Sequence, residues 1–533
     1  MMSDKTLYLR EDVYFEPLFN QWYCWSMLIP PVTAARYTVS THRRIMKSFV
    51  NNYDLHISAV KESVVTGGDF LNCTKEQVGD VQALIDHIDR DLPDVVAIAN
   101  AIRDVDNMLV EHTNGHSIEY FYQKLPAELS GYIELVMDLQ HRPTYRLIEP
   151  LLYKSSYYKP ELQALSFGMW SKVDDRPFVL STPRLPDNNH LEVKQSFNAS
   201  FVDALFRARE FPVSQQCVES WFADVKTRGG LDYRELFTQQ TSNHPYTSVD
   251  QGVRVQYMGH AGFMLESKNT CVLIDPVIAS RGESFANDVC SFSQIPPNID
   301  CICLTHNHQD HVNIESLLQL RYKTKKILVP KNNGGSLADP SLKLMLQQLQ
   351  FDVVEMDELE VFALTGGQIT SIPFLGEHGD LNVRSKTAWL VELEGKKCFF
   401  GADSANPDIN LYRHMRDLLA DLDVYAIGME CVGAPYTWLY GALHTKVVAK
   451  TIKESRRLNG SDCEQALAVV ELLKPARVYL YALGMEPWYK YFMGLEYDDD
   501  SKQIVESNRM LQACADRGIH AETMYGKHLT LLQ

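Results

Sequence analysis

Four side chains that commonly bind metals stand within one short segment of the chain. His306, His308, Asp310 and His311 form the pattern H-x-H-x-D-H. In an extended segment, residues two apart point the same way, so His306 and His308 can converge on one ion while Asp310 and His311 turn towards a second. Imidazole and carboxylate ligands suit zinc, iron or manganese, and two ions about 3.5–4 Å apart can share a bridging oxygen. The spacing therefore predicts a two-metal site.

Short predicted strands and intervening helices surround this motif and must hold it in place. The predicted strands are residues 253–258, 270–274, 302–304, 326–329, 387–392 and 397–400. Glu394 and Gly395 form the turn of a predicted hairpin, and a helix begins at Ile314. A capping box over residues 461–464 opens an apolar helix that Pro475 ends. Strands mixed with surface helices predict a layered α/β sandwich.

The length of 533 residues predicts two domains, because one core seldom grows beyond about 250–300 residues. We expect a mixed α/β N-terminal domain over residues 1–245 and a catalytic domain over residues 246–533. In the first, one helix is predicted after Pro93 and another after Pro126, but no chemical motif is visible. Its expected role is docking or oligomerisation.

Composition excludes several classes of protein. The formal net charge of −17 gives no electrostatic basis for binding nucleic acid. Charged sequence follows the first methionines, and no stretch approaches the roughly 20 apolar residues of a membrane span. We therefore expect a cytoplasmic protein without a membrane partner. Its eleven cysteines, Cys301 and Cys303 included, are expected to pack as small apolar residues.

From about Val253 to its end, the chain resembles the metallo-β-lactamase superfamily. The H-x-H-x-D-H pattern is the most specific motif of that superfamily, and its neighbours fit as well. Gly259-His260-Ala261-Gly262, followed by Asp275, is similar to the opening hairpin, where the histidine and the aspartate are structural or outer-shell residues. Asp403, after the predicted hairpin, stands where the superfamily keeps its bridging aspartate. The resemblance implies an αββα sandwich for the C-terminal domain.

The remaining ligands depart from the hydrolases of this superfamily. Where these keep a histidine before the bridging aspartate, the chain offers adjacent Glu377 and His378, and the sequence leaves open which of them ligates. A glutamate would favour iron or manganese over zinc. The usual last histidine is missing near residues 478–486. His444 is the best candidate to replace it, although a histidine in a loop or helix cap is the alternative.

These departures, together with the large N-terminal domain, make the whole chain similar to the diiron β-hydroxylases of chloramphenicol biosynthesis. The resemblance implies two iron ions joined by an oxo or hydroxo bridge. It implies catalytic roles for Glu377 and Asp403. In the implied set, His306, His308 and Glu377 hold one iron, Asp310, His311 and His444 hold the other, and Asp403 bridges them.

The same resemblance implies a function in antibiotic biosynthesis. Such enzymes hydroxylate the β-carbon of an aromatic amino acid of the L-p-aminophenylalanine type, held as a thioester on a carrier domain of a nonribosomal peptide synthetase. O₂ is the co-substrate, and two electrons come from a reductase or ferredoxin. A homodimer is also implied. A basic segment, His42-Arg43-Arg44 with Lys47, is a candidate docking surface for the carrier, with ordinary solvated surface as the alternative.

Two other functions remain open from the sequence. A dinuclear zinc or manganese hydrolase of a phosphodiester, lactone or thioester would use metal-bound hydroxide, as most of the superfamily does. A non-catalytic scaffold would keep the metal site for folding alone. The intact motif and Asp403 argue against the scaffold, and the Glu377 option favours the oxygenase over the hydrolase.

Overall fold

The structure is a computed structural model that describes residues 5–61, 69–112, 114–173, 176–285, 287–494 and 496–533. Within these residues, no helix is both long and apolar enough to cross a membrane.

Strands and helices alternate along the whole chain. The strands are β1 (Thr6–Leu9), β2 (Val13–Phe19), β3 (Trp22–Tyr23), β4 (Ile133–Met137), β5 (Pro143–Leu147), β6 (Gln163–Met169), β7 (Leu191–Val193), β8 (Val213–Ser214), β9 (Thr227–Arg228), β10 (Phe237–Thr238), β11 (Val253–Gly259), β12 (Gly262–Glu266), β13 (Cys271–Ile274), β14 (Cys301–Cys303), β15 (Ile327–Pro330), β16 (Val353–Met356), β17 (Val361–Leu364), β18 (Gly367–Ile372), β19 (Ala388–Leu393), β20 (Lys396–Phe400), β21 (Val424–Gly428), β22 (Arg477–Tyr481), β23 (His520–Thr523) and β24 (His528–Leu532). The α-helices are α1 (Pro31–Tyr37), α2 (Arg43–Asn51), α3 (Tyr53–Ala59), α4 (Val78–Asp91), α5 (Pro93–Val110), α6 (Glu149–Leu152), α7 (Ser200–Arg207), α8 (Gln215–Phe222), α9 (Ile314–Leu320), α10 (Leu342–Gln348), α11 (Asn410–His414), α12 (Thr437–Tyr440), α13 (Lys450–Ser455), α14 (Cys463–Leu473), α15 (Lys490–Met493) and α16 (Lys502–Ala515).

The C-terminal part is the predicted sandwich of two sheets. In the described chain, one sheet has the strand order β16-β15-β14-β13-β12-β11-β24 and the other β17-β18-β19-β20-β21-β22-β23. Buried side chains from both sheets, such as Phe263 and Trp389, meet in the space between them. Cys301 and Cys303 belong to this core, which confirms that they are packing residues. Helices α14 and α16 cover the second sheet, while α9 and α10 cover the first.

The predicted strands of this sandwich are confirmed to within a residue or two, and the N-cap of helix α14 lies one residue later than predicted. Asp462, and not Ser461, is the N-cap, and its capping box is completed by Gln465. Lys474 then ends the helix in the left-handed conformation, directly before Pro475. Asp462 and Gln465 meet the requirements of a capping box as well as Ser461 and Glu464 do, so the cap can move by one residue.

The N-terminal part contains a sheet of order β3-β2-β6-β7-β9, packed against helices. The helix predicted after Pro93 is confirmed as α5. The helix predicted after Pro126 is wrong: a turn carries Gly131 at φ 79°, and residues from Ile133 form β4, which pairs with β5. Glycine takes this positive φ without strain, so the chain can turn into a hairpin there.

The two parts of the chain share one continuous apolar core. Phe15 of β2 and Phe206 of α7 belong to the same buried cluster as Ile314 and Leu317 of α9, the helix that follows the metal-binding motif. The predicted boundary between residues 245 and 246 stays a prediction. The shared core nevertheless means that the motif's own helix is packed against N-terminal strands and helices.

A buried ion cluster also joins the two parts. Arg176 lies 2.9 Å from Glu16 of β2 and 3.2 Å from Glu315 of α9, and its side chain is about 1% exposed. Its guanidinium also stacks 3.4 Å from the ring centre of Tyr491. Burial alone would raise the pKa of Glu16, but Arg184 and Arg176 hold that pKa well below its ordinary value. Both carboxylates therefore depend on the arginine side chains.

We predict that Arg176→Met destabilises the protein by about 3–5 kcal/mol, because it leaves two buried carboxylates without this partner. Urea denaturation of the purified chain would measure the loss. Arg44→Met is the matched control, since Arg44 pairs with Asp69 on the surface, where ion pairs contribute about 0–1 kcal/mol. Equal losses for the two variants would contradict a structural role of the buried cluster.

Candidate metal centre

The H-x-H-x-D-H motif occupies the loop between β14 and α9. The loop leaves the carboxyl end of a buried strand, and α9 begins where the side chain of Asn313 accepts a hydrogen bond from the backbone nitrogen of Ser316 (2.8 Å). All four histidine and aspartate side chains of the motif are buried. A strand on one side and a capped helix on the other thus fix both ends of the motif.

His306, His308 and Glu377 form one candidate metal-binding group. Nε2 of His306 lies 3.1 Å from Nδ1 of His308, which lies 2.8 Å from Oε1 of Glu377. One ligand atom from each residue lies within 4.8 Å of the others. Glu377 has φ 74°, a conformation that is rare for residues other than glycine and that stores backbone strain at this loop.

Asp403 lies between this group and the rest of the motif. Its Oδ2 is 3.0 Å from Nε2 of His311 and 4.0 Å from Nε2 of His306. A further group joins Asp310 and His311 to His260, whose Nε2 lies 2.9 Å from Oδ2 of Asp310. Asp403 forms a third group with His306 and His311, which overlaps the other two. The geometry thus gives two neighbouring clusters that Asp403 links.

Asp275 orients the motif from behind, as expected from the sequence. One of its oxygens accepts a hydrogen bond from the backbone nitrogen of Thr305 (2.8 Å), and the other accepts one from the Thr305 hydroxyl. The latter oxygen also lies 2.7 Å from Nδ1 of His311. Because Asp275 occupies Nδ1 of His311, Nε2 of that ring faces Asp403. Carboxylates that bond to a histidine in this way orient its other ring nitrogen towards a metal.

The charges at this site fit two cations. Burial, and then Asp403 and Asp310, raise the pKa of Glu377 well above its ordinary value. Burial lowers the pKa of His306 well below its ordinary value, as suits a neutral ligand. Oδ1 of Asp403 is buried without a hydrogen-bond partner in the described chain. Crowded buried carboxylates with an unpaired oxygen are unfavourable unless cations compensate them, so the residues present fit a two-metal centre.

Glu377, and not His378, belongs to the candidate groups among the described residues. Nδ1 of His378 instead lies 3.0 Å from Nε2 of His308 and 3.0 Å from the hydroxyl of Tyr440. His378 therefore stands behind His308, on the side of that ring away from Glu377. The backbone conformation of Glu377 is what separates the two neighbouring side chains.

His444, a candidate ligand from the sequence, is not brought to the centre. Its half-buried ring packs edge-on against Tyr436 at 5.4 Å, and its carbonyl accepts a hydrogen bond from Arg36 (2.9 Å). His444 lies in none of the three groups found in the described chain. It is a loop histidine after a short helical turn, which is the alternative that the sequence left open.

Glu430 approaches the centre instead and was missed as a candidate. Burial, and then Asp403, Glu377 and Asp310, raise the pKa of Glu430 well above its ordinary value, so its carboxyl lies within electrostatic reach of these charges. Glu430 follows β21, the parallel neighbour of β20, and Asp403 follows β20. The carboxyl ends of parallel neighbours meet at one edge of a sheet. An acidic residue after each of two adjacent strands was the available signal.

We predict that Glu430→Gln weakens metal binding by about 10–100-fold, the range seen when groups around a metal are removed. His444→Ala, the control from the same region, should leave it unchanged. A chelator-competition titration with metal analysis of the protein measures both. Retention of metal by Glu430→Gln, with loss in His444→Ala, would restore His444 as the ligand.

Comparison with known proteins agrees with this geometry. Residues 8–241 match the family model described as the diiron non-heme beta-hydroxylase N-terminal domain, and residues 270–481 match that of a beta-lactamase superfamily domain. The chain is 33% identical over 531 residues to 4-amino-L-phenylalanyl-[CmlP-peptidyl-carrier-protein] 3-hydroxylase of Streptomyces venezuelae, covering 97% of this chain and 98% of that protein. It is 25% identical over 142 residues to a UPF0173 metal-dependent hydrolase of Azorhizobium caulinodans, covering 25% of this chain and 58% of the hydrolase.

Solved structures extend the match to three dimensions. The crystal structure of CmlA, a diiron beta-hydroxylase from Streptomyces venezuelae, superimposes with a TM-score of 0.90 at 33% identity, covering 99% of this chain and all of CmlA. The similarity therefore includes both the N-terminal part and the metallo-β-lactamase-type sandwich. The chain belongs to the CmlA family of diiron β-hydroxylases.

Proposed function

We propose that this protein hydroxylates the β-carbon of an aromatic amino acid, of the L-p-aminophenylalanine type, while a thioester holds it on a carrier domain of a nonribosomal peptide synthetase. The support is the relative in Streptomyces venezuelae, which matches along nearly the full length and whose name gives a 4-amino-L-phenylalanyl group on a carrier protein as substrate. Chloramphenicol-type antibiotic biosynthesis is the corresponding context.

The observation that carries the proposal is the carboxylate-rich set of donors. We assign His306, His308 and Glu377 to one iron, Asp310 and His311 to the other, and Asp403 to the bridge between them. Glu430 takes the place proposed from sequence for His444. When bound, two reduced irons supply the electrons for O₂ activation, which zinc cannot because it has no accessible redox change.

The side chains around the centre hold its donors in place. Asp275 fixes His311, and His260 contacts Asp310, so the donors are placed before any substrate arrives. The hydroxyl of Ser26, from the N-terminal part, donates to the carbonyl of Asn307 within the motif (3.4 Å). The N-terminal part thus contacts the motif loop directly, and we propose that the arm of a carrier domain passes along this boundary.

The basic segment around Arg44 offers little to a carrier domain. His42 is buried and stacks on Trp22 with ring centres 3.9 Å apart. The cations of this segment already pair with aspartates: Arg43 and Lys47 with Asp89, and Arg44 with Asp69. Ordinary solvated surface accounts for them.

Further parts of the proposal concern partners and place of action. Each turnover that reduces O₂ while hydroxylating one C–H bond needs two external electrons, so we include a reductase or ferredoxin as electron donor. A homodimer and a cytoplasmic location also remain proposals that rest on the resemblance and the sequence.

A metal-dependent hydrolase is the second candidate, favoured by the motif that the chain shares with the superfamily and by the partial match to the Azorhizobium caulinodans protein. Metal-bound hydroxide would then attack a phosphodiester, lactone or thioester. The glutamate in the first donor group, beside two carboxylates in the rest of the centre, favours iron over zinc and therefore the oxygenase.

We predict that the iron-loaded, chemically reduced protein adds one oxygen atom to 4-aminophenylalanyl attached to a carrier domain when O₂ is admitted. Mass spectrometry of the carrier-bound product measures the addition, and metal analysis should give about two irons per chain. The same protein loaded with zinc is the control and should add no oxygen. Hydrolysis of the thioester by the zinc form, without hydroxylation by the iron form, would favour the hydrolase instead.

A further inference from the structure

A cavity of about 610 Å³ opens between the segment after β22 and the segment before α16. Its lining includes Glu486, Glu496, Asp498 and Asp499, against Lys490 as the cation among the lining residues. Lys490 is already paired with Glu496. The lining is therefore anionic and suits a ligand group with positive charge.

Glu486 is the buried carboxylate of this cavity, with an exposed fraction of 2%. Its Oε1 accepts hydrogen bonds from the hydroxyl of Tyr257 (2.8 Å) and from the backbone nitrogens of His260 (3.1 Å) and Gly526 (3.2 Å). Its Oε2 accepts none from any residue that the structure describes. That oxygen is therefore available to accept a hydrogen bond from a ligand in the cavity.

Two observations connect the cavity with the metal centre, one through His260 and one through Tyr497. The backbone nitrogen of His260 donates a hydrogen bond to Glu486, and Nε2 of the His260 ring lies 2.9 Å from Oδ2 of Asp310. Tyr497, which also lines the cavity, has a buried hydroxyl with no hydrogen-bond partner among the described residues. Burial, and then Glu430, Cys431, Asp403 and Asp310, raise the pKa of this hydroxyl, so it lies within electrostatic reach of the centre.

The substrate of the proposed function carries one group whose positive charge suits this anionic cavity. An aminoacyl thioester keeps its α-amine free, and such amines have pKa values of about 7.7–8.0, so an anionic site holds them as ammonium ions. The arylamine of the ring stays neutral because its lone pair is delocalised. The α-amine is two bonds from the β-carbon, so it must lie beside the metal centre whenever that carbon does.

We propose that this cavity binds the α-ammonium group of the carrier-bound amino acid, with Oε2 of Glu486 as its hydrogen-bond acceptor and the Tyr497 hydroxyl as a second polar contact. The inference rests on the proposed function and assigns a substrate-binding role to residues outside the metal-binding set. Glu486 fixes the position of the amino acid by its charge, while its other oxygen maintains the turn that carries His260.

The test compares two substrates on the same carrier domain with the iron-loaded enzyme: 4-aminophenylalanyl, and 3-(4-aminophenyl)propanoyl, which lacks only the amine. We expect kcat/KM of the unmodified enzyme to be about tenfold to a hundredfold lower without the amine, the range for one charge-assisted hydrogen bond. In Glu486→Gln, activity on the amine substrate should fall by a similar factor, and the two substrates should then differ by less than about threefold. Glu486→Asp, which keeps the charge, should restore part of the difference.

Glu266→Gln is the control, because Glu266 is buried to a similar degree (3% exposed) and bonds to Tyr246 and Arg254 away from the cavity. Glu266→Gln should show the same difference in kcat/KM between the two substrates as the unmodified enzyme. Should Glu486→Gln fail to fold, Tyr497→Phe serves instead, since it leaves the contacts of Glu486 in place. Tyr497→Phe should reduce the difference in kcat/KM between the two substrates by a few-fold. An unchanged difference in Tyr497→Phe would overturn the proposal.

Two other outcomes would overturn the inference while leaving the proposed function standing. One is an unmodified enzyme that hydroxylates both substrates equally well. The other is a Glu486→Gln enzyme that loses activity equally on both, because the carboxylate would then act only through His260 and Tyr257. Failure of the unmodified, iron-loaded enzyme to hydroxylate either substrate would overturn the proposed function itself.

Discussion

Mutual repulsion among buried carboxylates is the constraint on which the rest of this structure depends. Asp310, Glu377 and Asp403 are buried together at one end of the sandwich, with Glu430 within electrostatic reach, and burial raises the pKa of Glu377 and of Glu430. Such a group is tolerated only when cations compensate it and when the surrounding structure holds each side chain in place. Three features supply that restraint: the ends of the strands, the strained backbone at Glu377, and the hydrogen bond between His311 and Asp275.

The supports of the centre come from parts of the chain that are far apart in sequence. His260 comes from the turn between β11 and β12, and it is held by Glu486, which follows β22. The motif loop is contacted by Ser26 of the N-terminal part. Residues that are distant in sequence, including one from the N-terminal part, therefore contribute to the arrangement of the site.

The sequence predicted those parts of the site that follow local rules. The motif residues and Asp403 each follow an apolar strand, and the strand pattern predicts both the sandwich and their position at its edge. The sequence could not decide whether Glu377 or His378 is the ligand. The backbone conformation that orients them includes a positive φ at Glu377, which cannot be read from the residue types. The positions of Glu430 and His444 could not be predicted from the sequence for a related reason. Their segment consists of turns and short helices, and its path is set by contacts such as Arg36 with the His444 carbonyl, which lie far apart in sequence.

The apolar core that runs from β2 through α7 to α9 also constrains how such an enzyme can diversify. A catalytic domain released from its N-terminal partner would expose the apolar surface of α9 and the unpaired carboxylate of Glu315. Recombination at the apparent boundary between the domains would therefore yield chains prone to aggregation, even when each half came from a functional parent. New carrier specificities are more accessible through substitutions on the outer surface of the N-terminal part than through exchange of whole domains. We therefore expect the two parts to be inherited as one unit.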